Sequence, residues 1–281
     1  MKQKDDYNSQ TVSTNDIQKY SRHFVDNFLK KSICCQSFIS NIVDFSFYPT
    51  QAAYQEEPKR RIAGPILSEK QENGCTIHLC EECLKDIPSM VLQGWLEQEL
   101  TYCRQKRFEE FYCNFRLNIL PLFPVVGLAE NHIRELVHHL ESGLRRYRAT
   151  KKILGLGMGA NQVYLYFFKL NPADLPEERY QEAVPFVWTR AHFLAKKLKD
   201  FMPISLLAHK NIGFSRDLES SWWRFHEYLL PEDKTLLKEI VEIPEQFYTA
   251  SYCNQLVEIF KKIKLHLLQP KTPATQSATL H

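Results

Sequence analysis

The chain has 281 residues, of which 44% are hydrophobic and 25% charged, a balance that suits one or two globular domains with a buried core and excludes a disordered or fibrous chain. Glycine is scarce, nine in all, roughly 3% against an average near 7%, so β-sandwiches, propellers and phosphate-cradling loops, which need many positive-φ turns, are disfavoured. With 36 Lys and Arg against 33 Asp and Glu, the formal charge of +3 calls for no polyanionic partner.

Residues 1–14 and 270–281 are polar and aperiodic and are expected to be unstructured tails. Asn15 or Asp16 caps a first helix that runs to about residue 32, with Ile17, Tyr20, Phe24, Phe28 and Leu29 on one stripe. Three strand candidates follow, over 38–48, 61–67 and 76–80; Gly64 and Pro65 weaken the second, and the third alternates its side chains between two faces. From Pro88 the pattern is helical: a helix over 90–107, a stretch broken by Pro121 and Pro124, and a helix over 130–152. In the last of these Ile133, Leu136, Val137, Leu140, Leu144 and Tyr147 recur at steps of three and four. Further helices are predicted over 162–170, 180–201, 215–230, 232–242 and 251–268, with Trp222 on an apolar stripe and Trp223 facing the surface. The pattern defines an α+β protein, predominantly α-helical, with a small N-terminal sheet packed on helices and a helical C-terminal half.

The chemistry-bearing segment of greatest interest is the strand at Thr76–Cys80, a short connection through Pro88, and the helix that carries Gln98, Glu99 and Tyr102. A strand followed by a helix with a central glutamate resembles the active helix of zincin-type metallopeptidases. There, HExxH sets two imidazoles on one helical face for zinc, and the glutamate serves as general base. The resemblance covers about residues 15–150. It implies a zincin-like fold whose metal site is vacated, because Gln98 and Tyr102 stand where the family has histidines and Glu99 alone is retained. Neutral Gln is a poor zinc ligand, and Tyr would have to lose a proton of pKa about 10 to bind well. The implied protein is a non-catalytic, inactive metallopeptidase-like scaffold, with no cofactor, that binds a peptide or protein. Its third-ligand region would map to Glu130, Glu135, His138 and His139 on the helix that follows.

Two alternatives come from other residues. Cys75, His78, Cys80 and Cys83 offer four soft ligands in nine residues, and Cys80 and Cys83 form a CxxC pair, the basis for a zinc-stabilised interaction module. Strand alternation places His78 and Cys80 on one face and Cys75 on the other, which opposes a single four-ligand site. Eight cysteines without an apolar leader read as reduced cytoplasmic thiols. Nucleic-acid binding would use the basic patch of Arg145, Arg146, Arg148, Lys151 and Lys152, whose position at a helix C-terminus also suits the helix dipole. The glycines at 155, 157 and 159 superficially match a dinucleotide loop but lack the flanking strand and crossover helix. They mark 153–161 as the expected link between a zincin-like domain over 15–154 and a helical domain over 160–269. No run of 18 apolar residues is present to span a bilayer, and no membrane partner is expected.

Overall fold

The computed structural model describes His23, Asn27 and residues 43–57, 65–70, 74–105, 130–170, 176–246 and 252–268. The architecture is α+β and predominantly helical, and the contacts divide the chain into two compact units. One comprises Met1–Gln105 with Lys152–Leu165, the other Lys106–Lys151 with Tyr166–His281. This grouping counts most of the 130–155 helix with the later helices, whereas the sequence pattern groups it with the sheet.

In the first unit, strands β1 (Val43–Tyr48), β2 (Ile66–Lys70) and β3 (Cys75–Cys80) form a sheet of order β1-β3-β2. β1 runs parallel to β3, with Val43 opposite Cys75 and Tyr48 opposite Cys80; β2 is antiparallel, with Ile66 opposite Leu79. Every residue of β3 is buried, as the central strand of a covered sheet must be. The short helices α1 (Gln51–Tyr54) and α2 (Glu81–Leu84) follow β1 and β3. Helix α3 (Ser89–Arg104) starts at Pro88, whose carbonyl accepts from the Val91 and Leu92 amides. Its Leu92, Leu96, Leu100 and Cys103 pack with Ile66, Cys75, Ile77 and Leu79 of the sheet, the stripe that 3.6-residue periodicity places on one side.

Helices α4 (Glu130–Gly155) and α5 (Gly159–Lys169) meet at the glycine-rich link. Met158 N donates to Ile153 O and Gly157 N to Leu154 O, and Gly157 has φ +77°. This is a Schellman C-cap with glycine where a left-handed residue is required. No Cβ clash surrounds Gly155, so one glycine of the cluster carries the turn.

The second unit contains most of α4 with α6 (Pro176–Ala183), α7 (Val187–His209), α8 (Ser215–Phe225), α9 (Pro231–Gln246) and α10 (Tyr252–Leu268). All six residues of the expected α4 stripe are buried. Gly143 marks a close crossing with α7, since a Cβ there would lie 3.1 Å from Met202 Sδ and 3.2 Å from Lys199 Cα. The single helix expected over 180–201 is instead two, α6 and α7, separated by Val184, Pro185 and Phe186. Proline lacks an amide to continue the ladder and disfavours helical geometry in the residue before it. Helix α8 likewise ends at Phe225 rather than near residue 230. The first helix expected over 16–32, the Pro-broken segment and both tails lie outside the described residues, except that His23 and Asn27 are helical. Among the described residues no helix is long and apolar enough to cross a membrane.

Candidate functional site

Helix α3 packs its leucines on the sheet, and its polar residues divide between α5 and the edge strand β2. Gln98, 1% exposed, donates from Nε2 to Gln162 Oε1 of α5 at 2.9 Å. Glu99, 7% exposed, accepts at Oε2 from the Ser68 backbone amide (2.9 Å) and hydroxyl (2.6 Å), which pins the helix to β2. Tyr102 is half-buried one turn further on. Gln98, Glu99 and Tyr102 are thus not gathered on one open cleft, as the zincin resemblance would require: Gln98 and Glu99 reach in different directions and are engaged in internal hydrogen bonds.

Their neighbour Glu97, which carries no motif, is the more unusual group. It is fully buried and has no cationic partner among the described residues: Oε1 accepts from Asn161 Nδ2 (2.8 Å) and Gln93 Nε2 (3.3 Å), and Oε2 from Gln162 Nε2 (3.0 Å). Burial pushes its pKa up to about 7, although the three amides pull the other way. Gln162 Nε2 also reaches Gly94 O at 2.9 Å. The close approach needs glycine, because a Cβ at position 94 would sit 2.5 Å from the Asn161 carbonyl oxygen. The only sequence signal for this cluster is the polar run Glu97, Gln98, Glu99 in the middle of α3; its α5 partners, Asn161 and Gln162, lie more than 60 residues away.

The helix-α4 candidates gather around α7. His139 is half-buried, with its ring centroid 4.7 Å from that of His192 and 5.7 Å from that of His138. Burial, then the proximity of His192, His138, Lys196 and Lys199, pushes its pKa down to about 3. His138 is also lowered, by burial and Lys199. Glu135 Oε2 stands 3.6 Å from His192 Nε2, and the Glu130 side chain lies outside the described residues. Neutral imidazoles under lysine repulsion make a packed contact between helices.

The four residues of the zinc alternative do not form one ligand set. Cys75 is disulfide-bonded to Cys103, which corrects the expectation of reduced thiols at these two positions and removes Cys75 from a shared ligand set. Strand alternation operates as expected: Cys75 packs in the α3 core with Ile77 and Leu79. On the opposite face His78 Nδ1 lies 3.1 Å from the Tyr48 hydroxyl and Nε2 3.4 Å from Glu69 Oε2. Cys80 and Cys83 remain together, their sulfurs 2.9 Å apart. Among the described residues no three His, Cys, Asp or Glu side chains are grouped to hold a metal ion.

The basic patch is largely engaged by α7, α9 and α10. Arg146 pairs with Asp200, Lys151 Nζ donates to Glu245 Oε1 at 2.9 Å, and Arg148 Nη2 donates to Gln255 Oε1 at 2.9 Å. A different cationic surface lies between α8 and α9, a cleft of about 330 Å³ lined by Ser220, Trp223, Arg224, Glu227, Lys234 and Lys238. Trp223 is braced edge-on against Trp222 and Phe201, with centroids 5.0 and 4.7 Å away, and Lys238 Nζ sits 5.1 Å over its ring. Lys234 Nζ donates to the Glu227 carbonyl at 2.8 Å. Three cations face one lining carboxylate. Ser220, Trp223 and Arg224 share one face of α8 at steps of three and four, a spacing visible in the sequence; Lys234 and Lys238, four apart on α9, supply the other wall.

Compared with protein-family models, curated proteins and solved structures, the chain matches none.

Proposed function

We propose that the protein is a non-catalytic binding protein that recognises an acidic peptide segment through the α8–α9 cleft. The observation that carries this reading is the cleft itself, in which Arg224, Lys234 and Lys238 share the lining with Trp223, a ring packed edge-on against Trp222 and Phe201. Cations supply attraction for carboxylates, and an indole wall supplies apolar contact area at small entropic cost. The non-catalytic part of the reading draws support from α3. There Gln98 and Glu99 are committed to Gln162 and Ser68, which leaves no free general base at the motif.

Titration of the full chain with an acidic peptide, followed by Trp fluorescence, tests the site. Binding that weakens at least fivefold on Arg224→Ala or Lys238→Ala, and weakens with salt, is the expected result; equal affinity for a lysine-rich peptide overturns it. Metal content and peptide cleavage measured on the same preparation test the second part. Stoichiometric zinc with Glu99-dependent proteolysis would establish a working metallopeptidase instead.

A further inference from the structure

We propose that Cys80 and Cys83 form a redox couple that exchanges with disulfide-bearing substrates, cycling between dithiol and disulfide. Three observations converge. The two residues are separated by Glu81 and Glu82 in a CxxC arrangement at the end of β3. Their sulfurs already stand 2.9 Å apart as free thiols, so closing a bond of about 2.05 Å requires only a small local movement. Their burial differs, with Cys80 fully buried and Cys83 half-buried. That asymmetry assigns the order of attack, and the inference stands independently of the peptide-binding cleft, which lies in the other unit.

In the oxidative direction the Cys83 thiolate attacks one sulfur of an external disulfide. The substrate S–S bond breaks, one thiol leaves with a proton from solvent, and a mixed disulfide remains on Cys83. Cys80, as thiolate, then attacks Cys83 Sγ, and the second substrate thiol departs. The protein pair loses two electrons and two protons, and the external disulfide gains them as two thiols. Burial, then the Cys80 and Glu82 neighbours, pushes the Cys83 thiol up to about 12. Glu82 Oε2 also accepts from the Gln51 amide of α1 at 2.7 Å, and His78 of β3, held by Tyr48 of β1, is the nearest imidazole along the strand. Exchange is therefore slow at neutral pH and accelerates about tenfold per pH unit below that pKa, because the thiolate is the reactive form. A weakly acidic thiol is also a poor leaving group, which favours persistence of the disulfide once made.

The test equilibrates the full chain in graded mixtures of oxidised and reduced dithiothreitol, traps free thiols by alkylation, and maps the peptides by mass spectrometry. The expected result is a reversible transition in which the Cys80 and Cys83 labels disappear together. It should be retained in Cys103→Ser, abolished in Cys83→Ser, and replaced in Cys80→Ser by a mixed disulfide stalled on Cys83 when oxidised glutathione is the probe. Should Cys80→Ser fail to fold, the wild-type map and Cys83→Ser suffice. Alkylation of both cysteines at every ratio, a bond from Cys83 to a cysteine other than Cys80, or one zinc per chain released by Cys83→Ser would each overturn the proposal.

Discussion

In the first unit the Glu97 carboxyl is wrapped by the side-chain amides of Gln93, Asn161 and Gln162. In the second, the equally buried Asp233 receives Arg190 through Nε (2.8 Å) and Nη2 (2.6 Å), His266 Nε2 at 2.8 Å and the Tyr180 hydroxyl. Burial pushes both carboxyls up. For Glu97 it prevails; for Asp233 the hydrogen bonds from His266, Arg190 and Tyr180 and the guanidinium charge outweigh it, and the pKa falls below the usual value. Neutral donors soften the desolvation of a carboxylate without cancelling it, whereas an opposite charge in bidentate geometry keeps the group ionised. The Asp233 cluster also joins α6, α7, α9 and α10, and the Tyr180 hydroxyl accepts from the Leu230 amide at 3.0 Å.

Breaking the charged cluster should have the largest effect. Asp233→Ala leaves Arg190 buried without its main counter-ion, although Glu232 stays 3.2 Å away, and should cost about 3–5 kcal/mol in chemical denaturation. A loss under about 1 kcal/mol would show that the pair adds little to the packing.

The amide-bound carboxyl predicts a pH dependence of opposite sign. Folded Glu97 holds its proton to about 7, against 4.5 for the ordinary group, so its contribution is full below about 4.5 and is lost as pH rises through 7. The loss is on the order of 3 kcal/mol. Asp233 contributes stability above its ordinary 3.8 that is lost as pH falls through its lowered folded value. Denaturation of wild type and Glu97→Gln across pH 4 to 8 separates the two; a variant with an unchanged slope would remove Glu97 as its source.

Gly94→Ala sharpens the geometry. The added Cβ would press on the Asn161 carbonyl and should cost about 1–3 kcal/mol, while moving the amides that serve Glu97 should shift the pH profile further. A profile displaced by Gly94→Ala identifies the close approach as part of the carboxyl's environment, and a uniform loss at all pH values identifies mere crowding. The smallest effect is expected on the surface: Lys262→Ala breaks an exposed pair with Glu239 at 2.7 Å and should cost about 0.2–1 kcal/mol, less at high salt.

The helical stripes were legible because burial repeats with the helix period, and Ile133 through Tyr147 needed no partner to be recognised. β3 was legible for a similar reason. Less visible was the interruption between α6 and α7: Ala191, Leu194 and Leu198 form an apolar face whose periodicity does not mark the break at Pro185. At the candidate sites the difference is sharper. The residue types Gln98, Glu99, Cys75 and Cys80 could be picked out, but not that Gln98 would meet Gln162, or that Cys75 would join Cys103 while Cys80 stayed with Cys83. The last pairing alone was local enough to be read from spacing.

Few glycines and long apolar stripes determine a mostly helical chain, since these are properties of a residue and its near neighbours. Only tertiary structure decided that Glu97 is surrounded by amides and Asp233 by charge, that the basic residues of α4 are engaged, and that Arg224, Lys234 and Lys238 line one cleft. Desolvation and Coulomb energy depend on distances through space, and those distances are set by which helices pack together.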